Sequence, residues 1–167
     1  MTVIIYDGIE NVQSLEMTSH STLDDKRAMG LGVLAARLLF AFQDELYARF
    51  EQAGHGRVTR PHGVVLAHLD PEGTRATELA RRSRRPKQLI GRAIDELEQL
   101  GYVERRPEPG DRRAKLIVPT ARGRQLMEIS DEIVRDIEQR PANALGQDAY
   151  QDFKDALATV TETLTRS

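Results

Sequence analysis

The chain has 167 residues, a net charge of −2, and a composition 40% hydrophobic and 30% charged, which suits one well-packed core with or without an assembly surface. It contains no cysteine, which excludes disulfides, thiolate catalysis, iron–sulfur clusters, thiol redox sensing and Cys-ligated zinc. A 5% aromatic share without Trp argues against a stacking platform for single-stranded nucleic acid.

Residues 1–22 lack helical periodicity and read as an arm, with a short strand at Val3 to Tyr6. That apolar stretch is too short for a signal-peptide core, and the run Leu31 to Phe42 is interrupted by Arg37; no membrane contact and a cytoplasmic location are expected. From Leu23 the pattern becomes helical. Leu31, Leu34, Leu38, Phe42, Leu46 and Phe50 recur every three or four residues, which predicts a long helix ending near Gly54, with Thr22 or Asp24 as its cap. A second helix is predicted from Pro61 to Leu69, stopped by Asp70-Pro71-Glu72-Gly73, and a third, short one over Ala76 to Arg82. After the break Ser83-Arg84-Arg85, a fourth runs from Pro86 to Leu100, with Leu89, Ile90, Ala93, Ile94, Leu97 and Leu100 as its buried side. Two short helices joined by a tight turn make a helix-turn-helix.

Gly101 stands where a left-handed C-cap is wanted. Tyr102 to Arg106 and Ala114 to Val118 read as two strands around the turn Pro107-Glu108-Pro109-Gly110-Asp111, a hairpin with a basic tip. Thr120 is placed to cap a helix from Ala121 to about Gln139, which Arg140-Pro141 is expected to interrupt. In the last helix, Gln147 to Leu164, the residues Tyr150, Phe153, Leu157, Val160 and Leu164 repeat with the 3.5-residue period of a coiled-coil seam. This stripe could pack on the chain's own first helix; amphipathic helices at both ends of a basic middle favour a second subunit.

Charge is partitioned along the chain. Residues 57–124 hold 16 Lys+Arg against 9 Asp+Glu, whereas residues 1–56 hold 4 against 8 and residues 125–167 hold 4 against 9. Within the middle, Arg81, Arg82, Arg84, Arg85, Lys87 and Arg92 fall in twelve residues without a carboxylate. A solvated helix face normally mixes signs, so this run points to phosphate. On the fourth helix, Lys87, Gln88, Gly91 and Arg92 would face outward, with Asp95 beside them. Arg and Lys can bond guanine and Gln can pair with adenine in a major groove.

The motifs Thr77-Glu78-Leu79-Ala80, Leu97 to Arg105, Asp111-Arg112-Arg113-Ala114 and Thr120 to Leu126 occur in the order and spacing of the MarR family of winged-helix transcription regulators, which the chain resembles from about residue 30 to 165. The fold class implied is mainly α with a small β-hairpin wing (α+β). Residues 57–120 would be a winged helix-turn-helix, and residues 23–56 with 121–167 a helical dimerisation region. The resemblance implies a homodimer, with Leu31, Leu34, Tyr150, Phe153, Leu157, Val160 and Leu164 at its interface. It implies double-stranded DNA with a palindromic operator as partner, contacted by Arg84, Arg85, Pro86, Lys87, Gln88, Gly91, Arg92, Arg112 and Arg113. Arg113 would enter the minor groove and Asp111 would order the wing turn. A small aromatic or amphipathic effector is implied too, in a crevice for which Phe42, His62 and Arg105 are the candidates.

The chain departs from the family in carrying Arg84-Arg85-Pro86 and Gly91 where a small polar cap and an outer-face Ser or Thr are usual, so base preference does not transfer. His20, His55, His62 and His68 are poorly spaced for one zinc site, no nucleophile–base pair is visible, and no cofactor, metal or catalysis is expected. A ligand-released repressor is thus the leading expectation. The alternatives are a DNA-packaging or protein-interaction winged helix without ligand sensing, and a metal-responsive regulator.

Overall fold

A computed structural model describes residues 30–166, apart from the side chains of Arg112 and Arg113. The expected arm, its strand at Val3 to Tyr6, the caps at Thr22 or Asp24, and His20 lie outside the described residues. Two units are distinguished, residues 1–38 and 39–167. Of the first, the described part is the opening of helix α1, which runs Leu31–Gln52 and exposes Leu31, Val33, Leu34 and Leu38.

The second unit carries the rest of α1, then α2 (Arg60–Leu66), β1 (Thr74–Arg75), α3 (Ala76–Ser83), α4 (Lys87–Gln99), β2 (Val103–Glu108), β3 (Asp111–Pro119), α5 (Ala121–Leu145) and α6 (Gln147–Thr165). Its core is assembled from one face of most of these elements: Phe50 of α1, Val65 of α2, Leu79 of α3, Ile90, Ile94 and Leu97 of α4, Ile117 of β3, and Leu126 and Ile133 of α5. Phe42 and Leu46 are half-buried against it. The sheet is antiparallel in the order β1-β3-β2, with Thr74 opposite Ile117 and Arg105 also opposite Ile117 on the other side.

Helix ends follow local chemistry. The Thr120 hydroxyl accepts from the Gly123 amide at 3.1 Å and donates to the Gly101 carbonyl at 2.7 Å, so one side chain caps α5 and ties it to the turn after α4. Gly101, at φ 77°, ends α4 in the left-handed conformation, and the Tyr102 amide returns to the Leu97 carbonyl at 2.9 Å.

Four expectations are corrected. Helix α2 ends at Leu66, although Leu69 beyond it stays buried. The hairpin is longer than its turn residues suggest: β2 continues through Glu108 and β3 starts at Asp111, because Glu108 and Asp111 still pair across the two strands. Helix α5 passes through Pro141 and ends only at Leu145, where Gly146 at φ 87° turns the chain. Ala142 is buried and the Gln139 side-chain Nε2 donates to Asn143 Oδ1 at 2.7 Å, so packing and a side-chain link hold the helix across the lost backbone donor. Finally, Leu89 is not on the buried side of α4; it is 53% exposed.

Candidate nucleic-acid interface

The turn between α3 and α4 is made by Arg84, which adopts the left-handed conformation at φ 53°, ψ 34°. Its amide and that of Arg85 return to the Ala80 carbonyl, the latter at 3.2 Å, closing α3 in the manner that usually calls for glycine. Pro86, at φ −54°, ψ 137°, then starts α4, its carbonyl accepting from the Ile90 amide at 3.2 Å. Ile90, Ala93, Ile94 and Leu97 point into the core, which turns Lys87, Gln88 and Arg92 to solvent. Gly91 is half-buried, yet a Cβ built there would meet nothing within 4 Å. The fold itself therefore does not require glycine at 91, although glycine inside a helix costs about 0.5–1 kcal/mol relative to alanine.

The basic run splits into two groups. Arg81 donates to Glu78 at 2.6 and 2.8 Å, and Arg82 reaches Glu78 and Asp70, each at 2.9 Å. The hydrogen bonds from Arg81 and Arg82 hold the Glu78 carboxyl down at about 2, and those from Arg82 and Thr74 lower Asp70. Arg82 also donates to the His68 carbonyl at 3.2 Å, so it clamps the end of the α2 region to α3. Arg84, Arg85, Lys87 and Arg92 have no carboxylate partner among the described residues. They are the cations left to meet an anion.

Wing and helix are tied by Arg105, which bonds Asp95 and Glu98 of α4. Asp95, the carboxylate on the outward side of α4, is thereby neutralised from β2, and the Arg105 guanidinium is held more firmly protonated. Arg75 of β1 pairs with Glu108 of β2 at 2.6 Å. Between Pro107 opposite Lys115 and Glu108 opposite Asp111 the register shifts. Residues 112–114 thus form a bulge in β3, placing Arg112 and Arg113 at the irregular tip of the hairpin.

The three residues offered for a ligand crevice have separate occupations. Phe42 packs on the core. His62 is buried; its Nδ1 accepts from the Thr59 amide at 3.1 Å, which leaves Nε2 to donate to Glu96 of α4 at 2.7 Å. It is a helix cap and a tie from α2 to α4. Arg105 ties the wing to the same helix.

His55 and Tyr102 are a pair that sequence reasoning did not single out: the buried His55 Nδ1 and the Tyr102 hydroxyl share a hydrogen bond of 2.7 Å. The Arg122 guanidinium lies 4.5 Å from the centre of the Tyr102 ring. Among the described residues, no group of three His, Asp or Glu could hold a metal, and no helix is long and apolar enough to cross a membrane.

The interface candidates are uncovered. Helix α6 buries none of its residues; Phe153, Val160 and Leu164 are exposed, and Tyr150 and Leu157 half-buried. Leu31 and Leu34 are exposed on α1.

The sequence model of the MarR family matches residues 58–114, a segment that opens at the start of the helix-turn-helix region and ends in the wing. No curated protein matches the chain. Among solved structures, a MarR-family transcriptional regulator from Rhodococcus sp. RHA1 is 24% identical with a TM-score of 0.64, covering 85% of this chain and 96% of that one. CouR, from Rhodococcus jostii RHA1, is similar in two structures. Bound to p-coumaroyl-CoA it is 24% identical with a TM-score of 0.66, over 80% of this chain and 92% of its own. Bound to a 23-mer DNA duplex, the repressor is 24% identical with a TM-score of 0.67, over 89% and 100%. The match to the MarR family model lies in the winged helix of this chain, residues 58–114, and the chain shares its fold with solved MarR-family transcriptional regulators.

Proposed function

We propose that the chain is a dimeric, sequence-specific regulator of transcription that binds double-stranded DNA through α4 and is released from it by a small aromatic or amphipathic molecule. The observation that carries this reading is the charge on α4 and the turn before it. Arg81 and Arg82 are neutralised within the protein, while Arg84, Arg85, Lys87 and Arg92 stand without a carboxylate among the described residues, around an outward Gln88. Arg84 and Arg85 hold phosphates, and Lys87, Gln88 and Arg92 enter the major groove, with Gly91 admitting close approach. Arg112 and Arg113 of the wing reach the flanking backbone and minor groove.

A second copy covers the apolar residues of α1 and α6, and a two-fold dimer requires a palindromic operator. Solved CouR structures hold a DNA duplex and an aromatic coenzyme A thioester, and they support both the DNA and the effector half of the reading. His62 and Arg105 are the points where an effector acts, with Phe42 beside the core. Displacing either of these two ties removes a polar link of α4 to α2 or to the wing.

Selection of bound duplexes from a random-sequence pool tests the reading. A palindromic motif with half-sites about one helical turn apart is expected. Retention of every sequence alike overturns it in favour of DNA packaging.

A further inference from the structure

A solitary exposed leucine is ordinary on a protein surface; Leu89 is distinguished by its surroundings. It lies in the first turn of α4 and is 53% exposed. Arg84, Arg85 and Lys87 precede it and Arg92 follows one turn later, none with a carboxylate partner among the described residues. At 100° per residue, Leu89 stands about 60° from Arg92 and about 90° from the middle of the buried face. It therefore borders the outward face and cannot withdraw into the core.

An occupant of this surface must be anionic and must also offer something apolar to Leu89. A second copy of the same surface is excluded by like charge. The major groove of DNA meets both conditions, because its edges are phosphates and the apolar group its base pairs present is the C5 methyl of thymine. We propose that Leu89 is a specificity-determining residue that packs on a thymine C5 methyl. This rests on α4 being the DNA-reading helix and adds a contact made by shape and desolvation beside those made by charge.

The test uses a duplex enriched by the protein from a random pool. Its thymines are replaced by deoxyuridine, one symmetric pair of positions at a time, so that only methyl groups are removed. Dissociation constants are measured by fluorescence anisotropy for the unmodified protein and for Leu89→Ala, a change that favours helix and whose folding is checked by thermal melting. At one pair of positions, the unmodified protein should lose about fourfold per methyl, and Leu89→Ala should lose nothing. Indifference of the unmodified protein to every uracil, or full uracil sensitivity retained in Leu89→Ala, overturns the inference and leaves the DNA reading standing. A pool in which no sequence is enriched overturns that reading, and the inference with it.

Discussion

Arg84 is the non-glycine residue with positive φ among the described residues, and its side chain meets no carboxylate there. An L-residue pays roughly 1–2 kcal/mol for this conformation, so glycine would suit the fold better; in the proposed reading the Arg84 guanidinium offsets this by holding a phosphate. Arg84→Gly should raise the thermal midpoint, by roughly 1 kcal/mol of stability. It should also weaken binding to all DNA sequences alike, as loss of a phosphate contact does. Melting curves and anisotropy on two unrelated duplexes would show both. His55 gives a different signal. Burial, and then the Arg122 charge, lower its pKa below the ordinary 6.5, so the unfolded chain binds the proton more readily. Its contribution is complete above about pH 6.5 and is lost as pH falls through that window. Glu78, held at about 2 against an ordinary 4.5, contributes above 4.5 and fails only in stronger acid. Melting temperature against pH should therefore fall first below about 6.5, and His55→Phe should remove that early limb while leaving the acid one. Neither effect was legible beforehand. The partners of His55 and Arg82 lie 47 and 12 residues away, and a window of twelve residues without a carboxylate hid Glu78 just outside its edge.

The elements were largely legible because their signals are local. The 3.6-residue period of α4, the Thr120 cap and the left-handed Gly101 are written within a turn or two of the residues they control. Leu89, 53% exposed, sits at the border of the apolar stripe, where periodicity cannot tell inside from outside. β1 is two residues long and exists through its pairing with β3, so no local pattern announces it. Pro141 read as a break because its effect on one hydrogen bond is local, whereas the packing of Ala142 that outweighs it is not. Gly123 is the clearest case of an element joined by close approach: a Cβ there would stand 2.0 Å from the Tyr102 carbonyl oxygen. Backbone cannot yield as a side-chain tip can. Gly123→Ala should cost about 1–3 kcal/mol, read as a lowered denaturant midpoint, whereas Gly91→Ala, with open space at its Cβ, should cost the fold nothing.

For the whole molecule, the acidic flanks of the sequence and the basic middle assign opposite tasks. In the proposed reading the middle meets a polyanion, and the exposed apolar residues of the ends meet a second copy. In the proposed dimer, helix α6, which buries no residue of its own, supplies half of the interface, so Leu157→Glu with Val160→Glu should convert a dimer to monomer in sedimentation equilibrium. A well-folded monomer of the unmodified chain at micromolar concentration would contradict that. The central claim is that α4 reads base sequence and does not merely hold phosphate. It is tested most directly by measuring Gln88→Ala and Arg92→Ala against the unmodified protein, each on a selected duplex and on a scrambled one at the same salt concentration. The account predicts that at least one of the two variants loses about 1–3 kcal/mol on the selected duplex and almost nothing on the scrambled one. Equal losses on both duplexes, for both variants, would contradict it.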